Sequence, residues 1–155
     1  HIDTTPRTLR NFLPRQIPRH AGTLILLSAA AAGILAELLK ILIRRHRPSD
    51  DNLGAYAFDW LQGPLPGRGL GLASSHAAVA FGAAFLICKL SPRAGLLAIT
   101  LAIGCALTRL FAGAHFATDT YAAAILGALA AAIVWRISKN TVQNPVPPVL
   151  PKSLL

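Results

Sequence analysis

Three short groups of residues carry side chains suited to handling a phosphoryl group. The most specific is Thr108-Arg109, then His115, then Asp119, written T-R-x5-H-x3-D. Four residues on a helix is one turn, so a carboxylate at 119 can accept the proton of one imidazole nitrogen of His115. That fixes the tautomer and leaves the other nitrogen free to attack. The bland alternative is a capping aspartate and an unrelated histidine; Asp119 also falls in the first turn of the fourth helix, where Thr118 is a candidate cap. The second group is Ala73-Ser74-Ser75-His76. Serines that open a helix offer hydroxyls and free backbone N–H groups to an anion, with an imidazole alongside. Taken alone, the cluster reads better as a plain serine cap with an interfacial histidine. The third is Lys40 with Arg47-Pro48, or K-x6-R-P, two cations about two turns apart near a helix end that Pro48 enforces. Its alternative is snorkelling of long basic chains toward lipid headgroups. Glu37 either pairs with Lys40 at i,i+3 or faces another helix.

These groups lie at the ends of four apolar segments, at about residues 21–43, 75–90, 94–111 and 118–137, each without internal proline. A membrane span needs about 20 such residues, with about 17 as a lower limit, so the second segment is marginal. Helices apolar on nearly every face belong in lipid or deep inside a large protein, and 155 residues are too few to bury four of them. Many Ala and Gly positions suit close helix packing in a bilayer. The hydrophobic fraction is 54% and the charged fraction 14%, against about 25% charged in soluble domains. Disorder and a collagen-like chain are excluded; a soluble Ala-rich bundle is the competing architecture. Cys88 and Cys105 sit inside apolar segments and read as small buried thiols.

Charge sets the expected topology. The chain has 15 Lys+Arg against 6 Asp+Glu, a formal net charge of +9. Such an excess calls for an anionic partner. Nucleic acid is disfavoured, because no basic stripe is interleaved with aromatics. Arg7, Arg10, Arg15 and Arg19, then Lys89 and Arg93, then Arg136 and Lys139 fall on one side if every segment spans. That side is expected to be cytoplasmic. The three chemical groups then share the opposite side, with a long loop at 44–73 that holds Tyr56, Phe58 and Trp60. The expected organisation is a basic arm at 1–20, a membrane domain at 21–137 and a Pro-rich tail at 138–155, extended after Asn140. The chain starts at His1 and contains no Met, so upstream sequence is expected before it.

Lys40, Arg47 and Arg109 thus converge with two histidines, a serine pair and an aspartate. Ionisable groups at the ends of membrane segments are costly and tend to be functional. The ordered set K-x6-R-P, x-S-x-H and [ST]-R-x5-H-x3-D resembles the type 2 phosphatidic acid phosphatase superfamily, over about residues 21–137. That family holds membrane lipid phosphatases, soluble bacterial acid phosphatases and vanadium haloperoxidases.

The resemblance implies roles. Lys40, Arg47 and Arg109 would bind phosphoryl oxygens, with Ser74 and the backbone N–H of Ser75 completing the cradle. His76 would be the general acid and His115 the nucleophile, oriented by Asp119. No metal or other cofactor is implied, since cationic side chains stand in its place. The chain departs from the pattern at Ala73 for proline, Thr108 for serine and Ser75 for glycine. The last places a Cβ near the cradle. Membrane members usually have six spans, so the implied fold is an all-α integral-membrane helical bundle, with four spans visible here and six in the full-length protein.

The expected function is a metal-independent membrane phosphatase acting on a lipid phosphate monoester or pyrophosphate through a phosphohistidine. Its partners would be the lipid phosphate and the membrane. Its location would be a bacterial inner membrane, with the site on the periplasmic or extracytoplasmic face. A lipid phosphotransferase of the same fold and a non-enzymatic protein binding anionic lipid are the alternatives. The 50–72 loop, through Tyr56, Phe58, Trp60 and Arg68, is expected to shape headgroup choice. Exchanging it for the loop of a relative with a different preference should shift relative rates across a panel of lipid phosphates; unchanged preference rejects this.

Overall fold

A computed structural model describes residues 20–48 and 69–143, without the side chains of 141–143. The 1–19 part of the basic arm, the loop aromatics, Arg68 and residues 144–155 lie outside the described residues. The described residues form four helices: α1 Ala21–Ile43, α2 Ser75–Leu90, α3 Pro92–Phe111 and α4 Ala117–Gln143. Ala and Leu, among the best helix formers, dominate them. The chain is an all-α bundle of membrane type. Among the described residues three helices, α1, α3 and α4, are long and apolar enough to cross a membrane. The fourth, α2, has 16 residues and is shorter than a span.

The shortest helix is the centre. α2 packs against all three others, whereas α3 and α4 scarcely touch. Ala77, Ala78, Phe81, Gly82, Ala84, Leu86 and Leu90 of α2 are buried. The approach is close because the meeting residues are small. A Cβ on Gly82 would stand 2.8 Å from both Ala32 Cβ and Ser28 O; one on Gly127 would stand 2.7 Å from Phe81 Cβ and 2.8 Å from Gly82 N. Ser28 Oγ donates to Gly82 O at 2.7 Å, tying α1 to α2 in the buried interface. The outer faces are apolar: Leu26 and Leu42 of α1, Leu96 and Leu101 of α3, and Ile125 and Ile137 of α4 are exposed. Such a continuous apolar exterior suits lipid rather than water.

Ser91 ends α2 and caps α3, with Pro92 in the first turn of α3. Proline suits that position because its missing N–H has no intrahelical acceptor there. Cys88 and Cys105 are free thiols, half-buried rather than buried. Two expected boundaries are corrected. Helix α4 runs past Ile137 to Gln143, so the first part of the 138–155 tail is helical, and residues 141–143 are helical rather than extended. The first proline there is Pro145, and only at residue 144, just before it, does proline disfavour the helical state. Helix α4 starts at Ala117, which puts Thr118 inside its first turn rather than at the cap.

Packing at the glycines makes a paired prediction. Gly127→Ala inserts a methyl against backbone and should destabilise by about 1–3 kcal/mol. Gly104→Ala, with open space where the Cβ would go, should be neutral or stabilise by up to about 1 kcal/mol through helix propensity. Melting in detergent checks both, and an unchanged melting temperature in Gly127→Ala would reject the packing account.

Candidate active site

The ends of α1 and α3 and the starts of α2 and α4 meet at one end of the bundle. At the close of α1, Arg44 adopts the left-handed conformation (φ 51°), with its N–H on Lys40 O at 2.8 Å. This turn sends residues 45–47 back across the bundle end. There they meet residues 69–71: Arg47 N donates to Gly69 O at 2.8 Å and Gly71 N to Arg45 O at 2.7 Å, around an antiparallel bridge between His46 and Leu70. The two ends of the 44–73 loop therefore form a stem.

Asp119 lies in the first turn of α4 and is 0% exposed. Its Oδ2 accepts the N–H of Phe116 at 2.8 Å, the carboxylate half of a capping box. Its Oδ1 takes an ion pair from the Arg45 guanidinium, which also lies 5.2 Å from the Phe116 ring centroid. Both charged groups are buried, and removing one partner of such a pair costs about 3–5 kcal/mol. The backbone oxygen of Asp119 accepts Ser74 N at 3.2 Å, joining α2 to α4.

His115 is 4% exposed. Its Nδ1 is 3.0 Å from Gly71 O and 3.4 Å from Asp119 Oδ2. The carbonyl cannot donate, so Nδ1 carries the proton and Nε2 has a free lone pair. The expected carboxylate–imidazole contact is thus secondary, because Arg45 and the Phe116 N–H occupy Asp119. The pKa of His115 is pushed down from its ordinary 6.5 to about 4, first by burial and next by the charge of Arg47. The Gly71 bond acts the other way, while the charges of Arg109 and Lys40 lower it further. All three motif cations therefore act on this imidazole.

Lys40 is buried and donates to Glu37 Oε1 at 2.8 Å and to Ser75 Oγ; Ser75 Oγ in turn donates to Glu37 Oε1. The open question over Glu37 closes on both counts, since it pairs with Lys40 and reaches α2. Arg47 is exposed and donates from Nε to Leu70 O at 3.1 Å. Ser74 is the cap residue of α2, but its side chain makes no capping bond. Ser74 Oγ and Arg109 Nε are buried without a hydrogen-bond partner. Buried donors at a cationic helix end are groups that an anion can satisfy. His76 sits in the first turn of α2 with its side chain exposed. Among the described residues, no hydrogen bond or ion pair joins its ring to the others.

A family model described as the PAP2 superfamily matches residues 21–143. The chain belongs to the PAP2 superfamily. No curated protein and no solved structure matches it. The PAP2 superfamily is a phosphatase family, so hydrolysis of phosphoric esters is the general activity that membership supports.

Two participants escaped the sequence reading. Arg45 lies in the basic run Arg44-Arg45-His46-Arg47, where only Arg47 fitted the motif. Gly71 acts through its carbonyl. A Cβ on it would stand 3.1 Å from His46 O and 3.3 Å from Asp119 Oδ2, which is why glycine suits this crossing. The cluster of five glycines in the loop carried no signal that singled it out.

The lowered pKa of His115 has a stability consequence. Between about 6.5 and about 4 the unfolded imidazole takes up a proton and the folded one does not. The unfolded state then binds more protons, so stability falls as pH drops through this window. Below about 4 both forms are protonated and the contribution is gone. The melting temperature of wild type should fall more steeply from pH 6.5 to 4 than that of His115→Gln. Parallel curves reject the assignment.

Proposed function

We propose that this PAP2 superfamily protein is a membrane phosphatase that hydrolyses lipid phosphate monoesters or pyrophosphates through a phosphohistidine. The observation that carries the reading is His115: buried, neutral, with Nδ1 on the Gly71 carbonyl and under the charges of Lys40, Arg47 and Arg109. A neutral imidazole with one nitrogen committed is a nucleophile at the other.

In this reaction Nε2 of His115 attacks phosphorus in line with the leaving oxygen. A P–N bond forms as the P–O bond to the lipid breaks, and the bonding electrons leave with that oxygen. His76, at the exposed opening of α2, gives it a proton. Water then attacks the phosphohistidine, releases inorganic phosphate and returns His115 to its starting form, while His76 recovers a proton. Lys40, Arg47 and Arg109 hold the non-bridging oxygens, where charge accumulates. The hydroxyl of Ser74 and the backbone N–H of Ser75 add donors at the start of α2. Asp119 holds the His115 segment to the first turn of α4. Cationic side chains do the work that Mg²⁺ performs in many phosphoryl-transfer sites, so no metal is required.

Position supports a lipid substrate. The site opens at the ends of three helices of membrane-crossing length, where a headgroup phosphate lies while its tails stay among apolar faces. The basic residues at the other end of the bundle, Lys89 and Arg93 between α2 and α3 and Arg136 and Lys139 late in α4, would mark the cytoplasmic side. The site then opens on the extracytoplasmic face, in a bacterium the periplasmic face of the inner membrane.

Phosphate release from a panel of lipid phosphates, in detergent with EDTA, is the test. Wild type should release phosphate from at least one lipid. His115→Ala should lose at least about 10³-fold in kcat, and Arg109→Ala on the order of 10²–10³-fold. The acid limb of kcat/KM should fall near about 4, the pKa of His115. Turnover that EDTA abolishes, or that survives His115→Ala, rules the mechanism out.

A further inference from the structure

Asp119 and His115 are one helical turn apart, yet the stronger partner of the imidazole is the backbone of residue 71. The reason lies with a third residue. The Arg45 guanidinium pairs with Oδ1 of Asp119, and the Phe116 N–H occupies Oδ2 at 2.8 Å. The Arg45 side chain lies over the Phe116 ring. Its own backbone oxygen accepts Gly71 N at 2.7 Å, and Gly71 O in turn faces His115 Nδ1 at 3.0 Å. One residue therefore braces both candidate acceptors of the same proton, neutralising one and placing the other.

We propose that Arg45 is a positioning residue of the phosphoryl-transfer site: it clamps the loop stem onto the start of α4, so that the Gly71 carbonyl rather than the Asp119 carboxylate holds the Nδ1 proton of His115. The reaction role of His115 in this statement rests on the function proposed above. The clamp itself rests on geometry alone. Without the guanidinium, Asp119 would carry an uncompensated buried charge 3.4 Å from Nδ1. A charge so placed favours imidazolium over imidazole. Imidazolium has no lone pair with which to attack.

The other charged groups facing His115 come from every side. Arg47 reaches it from the stem, Arg109 from the end of α3 and Lys40, itself held by Glu37, from α1. α2 contributes the buried Ser74 hydroxyl and, in its exposed first turn, His76. The cations all disfavour a charged imidazole. Asp119 is the nearby group of opposite sign, which is why its compensation by Arg45 matters.

The test reads the imidazole directly. Protein labelled with ¹⁵N-histidine, purified in detergent micelles, is titrated by NMR as wild type, Arg45→Met, Arg45→Lys and the double variant Arg45→Met/Asp119→Asn. Activity on the preferred lipid phosphate is measured in parallel. Wild type should show the Nδ1–H tautomer of His115. Arg45→Met should raise the midpoint of the His115 titration. Its kcat should fall on the order of 10²-fold, as misplacement of a reacting group does, with KM changed far less. Arg45→Lys, which keeps the charge without the planar fork, should recover part of both. In the double variant no carboxylate competes, so tautomer and midpoint should return toward wild type.

Arg45→Met with the wild-type midpoint overturns the proposal, and so does a rise in KM at unchanged kcat. Should Arg45→Met fail to fold, the other two variants decide: a wild-type midpoint in Arg45→Lys together with a shifted one in the double variant overturns it. The two proposals fail separately. A wild type that hydrolyses no phosphate ester but shows the expected His115 shifts defeats the proposed function and leaves the clamp standing. Turnover lost in His115→Ala, with no response of His115 to Arg45→Met, does the reverse.

Discussion

A carboxylate with no exposed surface must find partners, because an isolated buried charge is too costly to keep. Asp119 meets that demand with two groups: the Arg45 guanidinium from the loop stem on one oxygen and the Phe116 N–H from its own helix start on the other, with the neutral His115 imidazole 3.4 Å away. Its backbone oxygen adds the amide of Ser74 at the start of α2. The demand of one side chain thus draws the loop stem, α2 and α4 together and closes the end of the bundle. The histidine is carried into place by this closure.

The rest of the bundle makes that convergence reachable. Glycine and alanine along α2 let α1 and α4 approach until backbone meets backbone. A 16-residue helix can therefore serve as the hub while three longer helices present leucine and isoleucine outward. Van der Waals packing of small residues is the interaction left to helices whose outer faces match lipid tails. The charged groups of the described residues consequently gather toward the helix ends, where helix termini supply free N–H groups.

Electrostatics at that end follow from the same gathering of charge. Burial first, and then three cations within range, keep the His115 imidazole uncharged, and the Gly71 carbonyl sets which nitrogen holds the proton. Phosphoryl chemistry needs this combination: positive charge to receive oxygens and a neutral nucleophile in the same small volume. Lys40 is itself restrained by Ser75 and Glu37. The serine that stands where the family usually has glycine therefore bonds to a motif cation through its hydroxyl.

Composition, apolar length and motif spacing were enough to read four helices, a membrane-type bundle and the residues grouped at one end, because these depend on chain-local properties. The i,i+3 spacing left the pairing of Glu37 with Lys40 as one of two alternatives, whereas the boundaries of α2 were legible for the same reason. The central place of α2 was not, since glycine and alanine look alike whether they face lipid or another backbone. Nor were Arg45 and the Gly71 carbonyl. A guanidinium 74 residues from its carboxylate has no periodic relation to it, and a carbonyl oxygen has no residue type to betray it. The sequence by itself determined which side chains could do chemistry. Only the tertiary structure decided which group holds the His115 proton, because that depends on which buried charges are already compensated, a property of the assembled helix ends and not of any one segment.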